Sequence, residues 1–180
     1  RHPTQFKYTV RRVLIIGLGR IGMGYDLLSS EPNSVQTHAT AFFLHEAFEL
    51  VGGVDADVSQ RKLFERNFNV PSYSRLELAL RSVSIDVVVI AVPTVSHRST
   101  IERVLRMTAP EAILCEKPLS FSRNDARFVV DICNKRKTKL FVNYVRRCGP
   151  GINIVRERIF CGEMRNPVEG IVRYMNGVLN

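Results

Sequence analysis

Five short apolar runs punctuate the chain, at residues 13–16, 50–54, 86–92, 112–115 and 140–144. Each is mostly branched and apolar with little alternation, the pattern of parallel strands covered on both faces. A further short strand is placed at Ser72 and Tyr73, third in chain order. Between the runs, apolar residues recur at helical spacing over 59–67, 76–80, 96–106 and 123–134, and again over 150–160. This alternation predicts an α/β fold built on a doubly wound parallel sheet with right-handed crossovers. Ser122 is the expected N-cap of the 123–134 helix, and Ser59 that of the helix after the second strand.

The first crossover departs from this regularity. Residues 25–36 include Ser29, Ser30, Pro32, Asn33 and Ser34, a polar and helix-breaking stretch. It reads as an insertion, either a plain surface loop or one that helps cover a ligand. Helical spacing resumes at His38 and runs through Ala41, Phe42 and Ala47 toward the second long run.

Directly after the first strand stands Gly17-Leu18-Gly19-Arg20-Ile21-Gly22. Glycines at this spacing suit a phosphate-binding turn: the first turns the chain, the second admits a pyrophosphate and the third lets the next helix pack close. The helix start would then hold phosphate through its exposed N–H groups. Asp55 follows the second strand, where a carboxylate accepts from ribose hydroxyls and favours NAD. Arg61 and Lys62 lie close enough in sequence to keep NADP open. At the end of the fourth strand, Ala91-Val92-Pro93-Thr94-Val95-Ser96-His97 reaches the carboxyl edge of the sheet, where ligands of open α/β folds bind. Glu116-Lys117-Pro118 follows the fifth strand and brings a cation to the same edge.

Composition narrows the picture further. With 45% hydrophobic and 24% charged residues, the 180-residue chain has the make-up of a soluble globular protein, and no apolar run approaches a membrane span. The formal charge of +9 and the cluster Lys135, Arg136, Lys137 and Lys139 lack the interleaved aromatics of a nucleic-acid surface, so neither nucleic acid nor membrane is an expected partner. Cys115, Cys133, Cys148 and Cys161 are too scattered for a metal site. They read as reduced, mostly buried thiols in a cytoplasmic protein.

The glycine turn, the acid after the second strand, Pro-Thr-Val-Ser-His, Leu-Cys-Glu-Lys-Pro-Leu and Asn-Tyr-Val-Arg-Arg occur here in the order seen in Gfo/Idh/MocA-type oxidoreductases. The chain resembles that family over nearly all of residues 12–180. The resemblance implies an NAD(P)-binding Rossmann domain over 1–148. Residues 149–180 would add a linking helix and the first strand, at 168–174, of a truncated α+β substrate domain. It also implies that Gly17, Leu18, Gly19, Arg20, Ile21, Gly22, Asp55, Ala91, Pro93, Thr94, His97, Glu116 and Lys117 contact the cofactor. Lys117 would also be catalytic, at the nicotinamide end. His97 follows Val-Pro-Thr where the family has Thr-Pro-Asn, and His38 matches a histidine of the family's first helix. Arg146 and Arg147 match a basic pair that leads out of the sixth strand.

The expectation is therefore the N-terminal, cofactor-binding part of an NAD(P)-dependent oxidoreductase acting on a sugar, polyol or nucleotide-linked sugar. It would bind cofactor without turning over, and form a homo-oligomer through the absent C-terminal sheet. The other reading is a non-catalytic NAD(H) sensor or regulatory module. Glu116-Lys117-Pro118 argues against that, because a sensor needs the glycines and Asp55 but nothing at the hydride end.

Overall fold

The computed structural model describes residues 9–28 and 35–164, and contacts divide the chain after Asn143 into two units. The first unit holds strands β1 (Arg11–Ile16), β2 (Phe48–Val54), β3 (Ser72–Tyr73), β4 (Val87–Ile90), β5 (Ala112–Cys115) and β6 (Lys139–Val142). Its helices are α1 (Tyr25–Leu28), α2 (His38–Leu44), α3 (Val58–Phe68), α4 (Leu76–Ser82), α5 (His97–Met107) and α6 (Arg123–Lys135). All strand pairs are parallel, in the order β3-β2-β1-β4-β5-β6. The doubly wound sheet is therefore as expected, and the order reverses between β1 and β4, where such sheets open a ligand crevice.

Strand alternation sorts the core into two layers. Leu14, Ile16, Val88, Ile90 and Cys115 pack with Ile101, Val104 and Leu105 of α5 and Val129 and Cys133 of α6. Val13, Ile15, Val87 and Val89 face the other way, onto Met23, Ala39, Phe64 and Phe68. Burial on both sides explains why these strands read as unbroken apolar runs. β1 and β2 start earlier than their apolar runs suggest, at residues whose side chains are polar or half-buried. Arg12 accounts for part of this: its guanidinium pairs with both carboxylate oxygens of Asp86 at 2.9 Å, and its N–H donates to the same group at 2.8 Å.

Three local expectations change. α3 is capped by Asp57, whose carboxylate accepts from the Ser59 N–H at 2.7 Å, so Ser59 lies within the first turn instead of capping it. α2 stops at Leu44, short of Ala47, because His45 turns extended and its ring nitrogen takes the Ala47 N–H at 3.1 Å. Among the thiols, Cys115 and Cys133 are buried but Cys148 and Cys161 are exposed, so burial holds for half of them. Burial pushes the Cys115 thiol up to about 12 and that of Cys133 to about 11, which keeps both protonated and inert. Ser122 does cap α6, accepting from the Asp125 N–H.

The insertion begins with the single turn α1, and residues 29–34 lie outside the described residues. Its two ends are tied by Asp26, which accepts from the N–H groups of Gln36 at 2.7 Å and Thr37 at 3.0 Å and from the Thr37 hydroxyl. Burial opposes charge on Asp26, yet these donors together hold its carboxyl below the usual range. In the second unit, a short turn (Val145–Cys148) carries the exposed Arg146 and Arg147, and α7 (Pro150–Phe160) follows as expected. The strand expected at 168–174 lies outside the described residues.

Candidate cofactor site

The parallel ladder does not stop at the strand ends. Gly17 N–H donates to Val54 at 2.8 Å, Ala91 to Ile16 at 2.8 Å, Glu116 to Ile90 at 2.9 Å and Asn143 to Cys115 at 2.8 Å. Each donor is the first residue or two past its strand, so the sheet itself lines these positions up along one carboxyl edge. Two adjoining clefts open there. The larger, of about 800 Å³, runs past Gly17, Gly19, Arg20, Asp55, Ala91 and Pro93. The smaller, of about 310 Å³, is bounded by Thr94, His97, Glu116 and Lys117. Ile21, Tyr25, Ala91, Val92 and Pro93 border both.

The glycine turn is shaped by contact with β4's end. Gly17 has φ +96°, and a Cβ there would stand 2.6 Å from the Ala91 carbonyl. Gly22 lies so close to Gly17 that a Cβ would stand 2.1 Å from its oxygen. A Cβ on Gly19 would meet nothing within 4 Å. The helix then opens wide, with the N–H groups of Met23 and Gly24 both reaching the Gly19 oxygen, at 2.9 and 3.0 Å. Leu18 points its side chain into the core, and its N–H donates to Asp55 Oδ2 at 2.8 Å. Leu18 and Gly22 therefore shape the turn from behind, while Gly17, Gly19, Arg20 and Ile21 border the cleft.

Asp55 is fixed at both oxygens, since Oδ1 accepts from the Asp57 N–H at 2.9 Å. A carboxylate oxygen accepts more than one donor, so a place for ribose hydroxyls remains at the cleft wall. Arg61 is less available than its sequence position suggests: one guanidinium nitrogen donates to the Asp55 and Ala56 carbonyls, both at 2.8 Å.

At the other end, His97 is buried and stitches two turns together. Its Nε2 lies 2.9 Å from the Val92 oxygen, and its Nδ1 lies 3.1 Å from that of Pro118. The ring thus braces the cleft floor through backbone carbonyls. Lys117, joined to Pro118 by a cis peptide bond, is exposed at the mouth, and its ammonium pairs with no carboxylate among the described residues. Glu116 is half-buried beside it. Oε1 of Glu116 accepts from His38 Nε2 at 2.8 Å and Asn143 Nδ2 at 2.6 Å. Burial disfavours its charge, but these donors outweigh burial and hold the carboxyl below its ordinary range.

Sequence reasoning missed Tyr25, Ser74, Arg75, Ser99 and Arg103, which border the larger cleft. Ser74 and Arg75 follow β3 directly, and position after a strand was the signal available for them. Asn143 stood in the Asn-Tyr-Val-Arg-Arg segment but was given no role. Among the described residues no cluster of three or more His, Cys, Asp or Glu side chains could hold a metal, and no helix is long and apolar enough to cross a membrane. The arrangement suits an elongated ligand with a phosphate centre, a ribose at Asp55 and a polar ring at Glu116 and Lys117.

Comparison with known proteins bears on the family and the fold. The family model described as an oxidoreductase family with an NAD-binding Rossmann fold matches residues 11–144. Inositol 2-dehydrogenase of Rhizobium meliloti (strain 1021) is 30% identical over 150 residues, which cover 83% of this chain and 41% of that protein. D-apiose dehydrogenase of Paraburkholderia graminis is 29% identical over 140 residues, covering 77% of this chain and 37% of that protein. The crystal structure of the WlbA dehydrogenase of Bordetella pertussis, in complex with NADH and UDP-GlcNAcA, superposes with a TM-score of 0.72 at 22% identity. That match covers 86% of this chain and 43% of the solved one, and it shows the shared fold. The chain thus spans about two fifths of the length of these relatives.

Proposed function

This chain belongs to the Gfo/Idh/MocA oxidoreductase family and carries its NAD-binding Rossmann fold, and from that premise we propose that it is the cofactor-binding part of an NAD-dependent enzyme. The substrate would be a hydroxyl or carbonyl group of a sugar, polyol or nucleotide-linked sugar, as the names of its relatives suggest. The observation that carries this reading is the placement of Glu116 and Lys117 in a cleft continuous with the glycine turn.

The residues fit the cofactor on their own geometry. Gly19 leaves an open face that a Cβ would fill, and the first N–H groups of the helix start have no helical partner. Asp55 stands at the same cleft wall to accept ribose hydroxyls. Bound NAD would supply the hydride-carrying nicotinamide ring. Lys117, as an unpaired ammonium, would donate to a substrate oxygen or ribose hydroxyl and orient it. A sensor has no use for such a group at this end, which favours the enzyme reading. NADP is the less favoured cofactor, since Asp55 would face its extra phosphate and Arg61 is engaged elsewhere. A homo-oligomer, formed through the longer protein's further sheet, and a cytoplasmic setting complete the reading.

Parallel calorimetric titrations with NADH and NADPH test it. Binding of NADH in preference to NADPH is the expected result. Binding of neither refutes the cofactor site. In the longer protein, Lys117→Ala should cut turnover on a panel of sugars and polyols with little loss of NADH affinity; unchanged turnover removes Lys117 from the mechanism.

A further inference from the structure

We infer that His38 and Asn143 are positioning residues for the nicotinamide end of the site, acting through Glu116 to orient its carboxylate and to keep it off Lys117. The inference rests on the cofactor reading above and concerns two residues that reading does not use.

Three elements that are remote in sequence meet at one carboxylate oxygen. His38 is the first residue of α2 and is buried, Glu116 follows β5, and Asn143 follows β6. A charged carboxylate only accepts, so the facing atoms must be the ring N–H of His38 and the amide N–H of Asn143. Their distances, 2.8 and 2.6 Å, are those of charge-assisted hydrogen bonds. Among the described residues, Oε2 is left with only the long 3.4 Å contact from the Lys117 backbone N–H. Glu116 borders the smaller cleft, so Oε2 is the oxygen with acceptor capacity to spare for a ligand donor such as a primary carboxamide.

The choice of partners has a second consequence. Glu116 and Lys117 are adjacent in sequence and opposite in charge. Here the donors come from elsewhere, and Glu116 and Lys117 form no ion pair. The clamp thereby separates two adjacent and opposite charges. Glu116 presents an acceptor and Lys117 a donor to the same cleft, and neither consumes the other.

The test compares NADH with ADP-ribose, which keeps the phosphates and both riboses but lacks the nicotinamide. In the wild-type chain NADH should bind more tightly than ADP-ribose. His38→Ala and Asn143→Ala should each weaken NADH by about tenfold, the scale of one lost charge-assisted hydrogen bond, and leave ADP-ribose within about twofold. His38→Gln, whose amide reaches the place of Nε2, should recover most of the loss. In a Glu116→Gln background, His38→Ala should add little further loss, because both act through one group. Equal weakening of both ligands, no rescue by glutamine or simple additivity overturns the inference while the cofactor reading stands. Wild-type protein that binds neither ligand overturns both. If His38→Ala fails to fold, Asn143→Ala on a different element decides by the same comparison.

Discussion

Gly19→Ala separates a glycine kept for a ligand from glycines kept for the fold. Gly17 and Gly22 are closed by the protein itself, since Cβ atoms there would stand 2.6 Å from the Ala91 carbonyl and 2.1 Å from the Gly17 oxygen. Gly19 is different. Its φ of −70° suits any L-residue, and an added Cβ meets nothing within 4 Å. Alanine there should leave the fold intact, or stabilise it by about 0.4–1 kcal/mol through a less flexible unfolded chain. In the proposed cradle the same methyl would occupy the open face at which a pyrophosphate approaches the N–H groups of Arg20 and Ile21. Losing one such charge-assisted hydrogen bond forfeits about 1.5–3 kcal/mol, so NADH should bind about 10- to 100-fold more weakly. Gly22→Ala is the counterpart, with overpacking that should destabilise by about 1–3 kcal/mol or more. Denaturant unfolding and calorimetric titration with NADH on the same preparations read both quantities. Wild-type affinity in Gly19→Ala refutes the phosphate cradle. A loss of stability in Gly19→Ala equal to that in Gly22→Ala refutes the distinction between the two.

Asp55→Ala should weaken NADH more than NADPH in parallel titrations, because it removes the ribose acceptor and relieves repulsion of a 2′-phosphate; equal loss for both would end the preference for NAD. Asp86→Asn tests the clamp on β1. Hydrogen bonds from Arg12 hold the Asp86 carboxyl down to about 2, so the charged pair stabilises the fold at neutral pH, weakened by solvent screening of the exposed Arg12. The folded value lies below the unfolded one, so this stability is complete above about pH 4 and is lost as pH falls toward 2. Unfolding free energies of wild type and variant should differ steadily from pH 8 to 5 and converge below that window. A gap that does not narrow on acidification refutes the ion-pair account.

How far the chain could be read depended on which interactions are local. The strands were legible because both faces of the sheet are covered, which forces continuous apolar runs; even the two-residue β3 fell where expected, at Ser72 and Tyr73. Element ends were harder. Asp57 and Ser59 are both chemically fit to cap α3, and the choice of Asp57 follows from its N–H being taken by Asp55 at the end of β2. That is a contact made by the fold, not by helix propensity. His45 ended α2 through its own ring, another choice that periodicity does not record.

The site shows the same division more sharply. Asp55, Gly17, Ala91, Glu116 and Asn143 each stand just past a different strand, and the strand order β2-β1-β4-β5-β6 sets them in that spatial sequence. Neighbouring parallel strands lie about 4.8 Å apart, so Asp55 and Glu116 stand on the order of 14 Å from one another across three gaps. That span suits a ligand with two nucleotide halves better than a single one. Knowing which residues follow each strand was therefore enough to place Gly17, Asp55, Ala91, Glu116 and Lys117 at one carboxyl edge. It was not enough to see that Glu116 meets His38 and Asn143, 78 and 27 residues away in the chain. Spacing carries no mark of that meeting, because it arises only when β5 and β6 pair in register and the first residue of α2 reaches the end of β5. Lys117 could be singled out from its neighbours in sequence; what leaves it unpaired could be found only in the folded edge of the sheet.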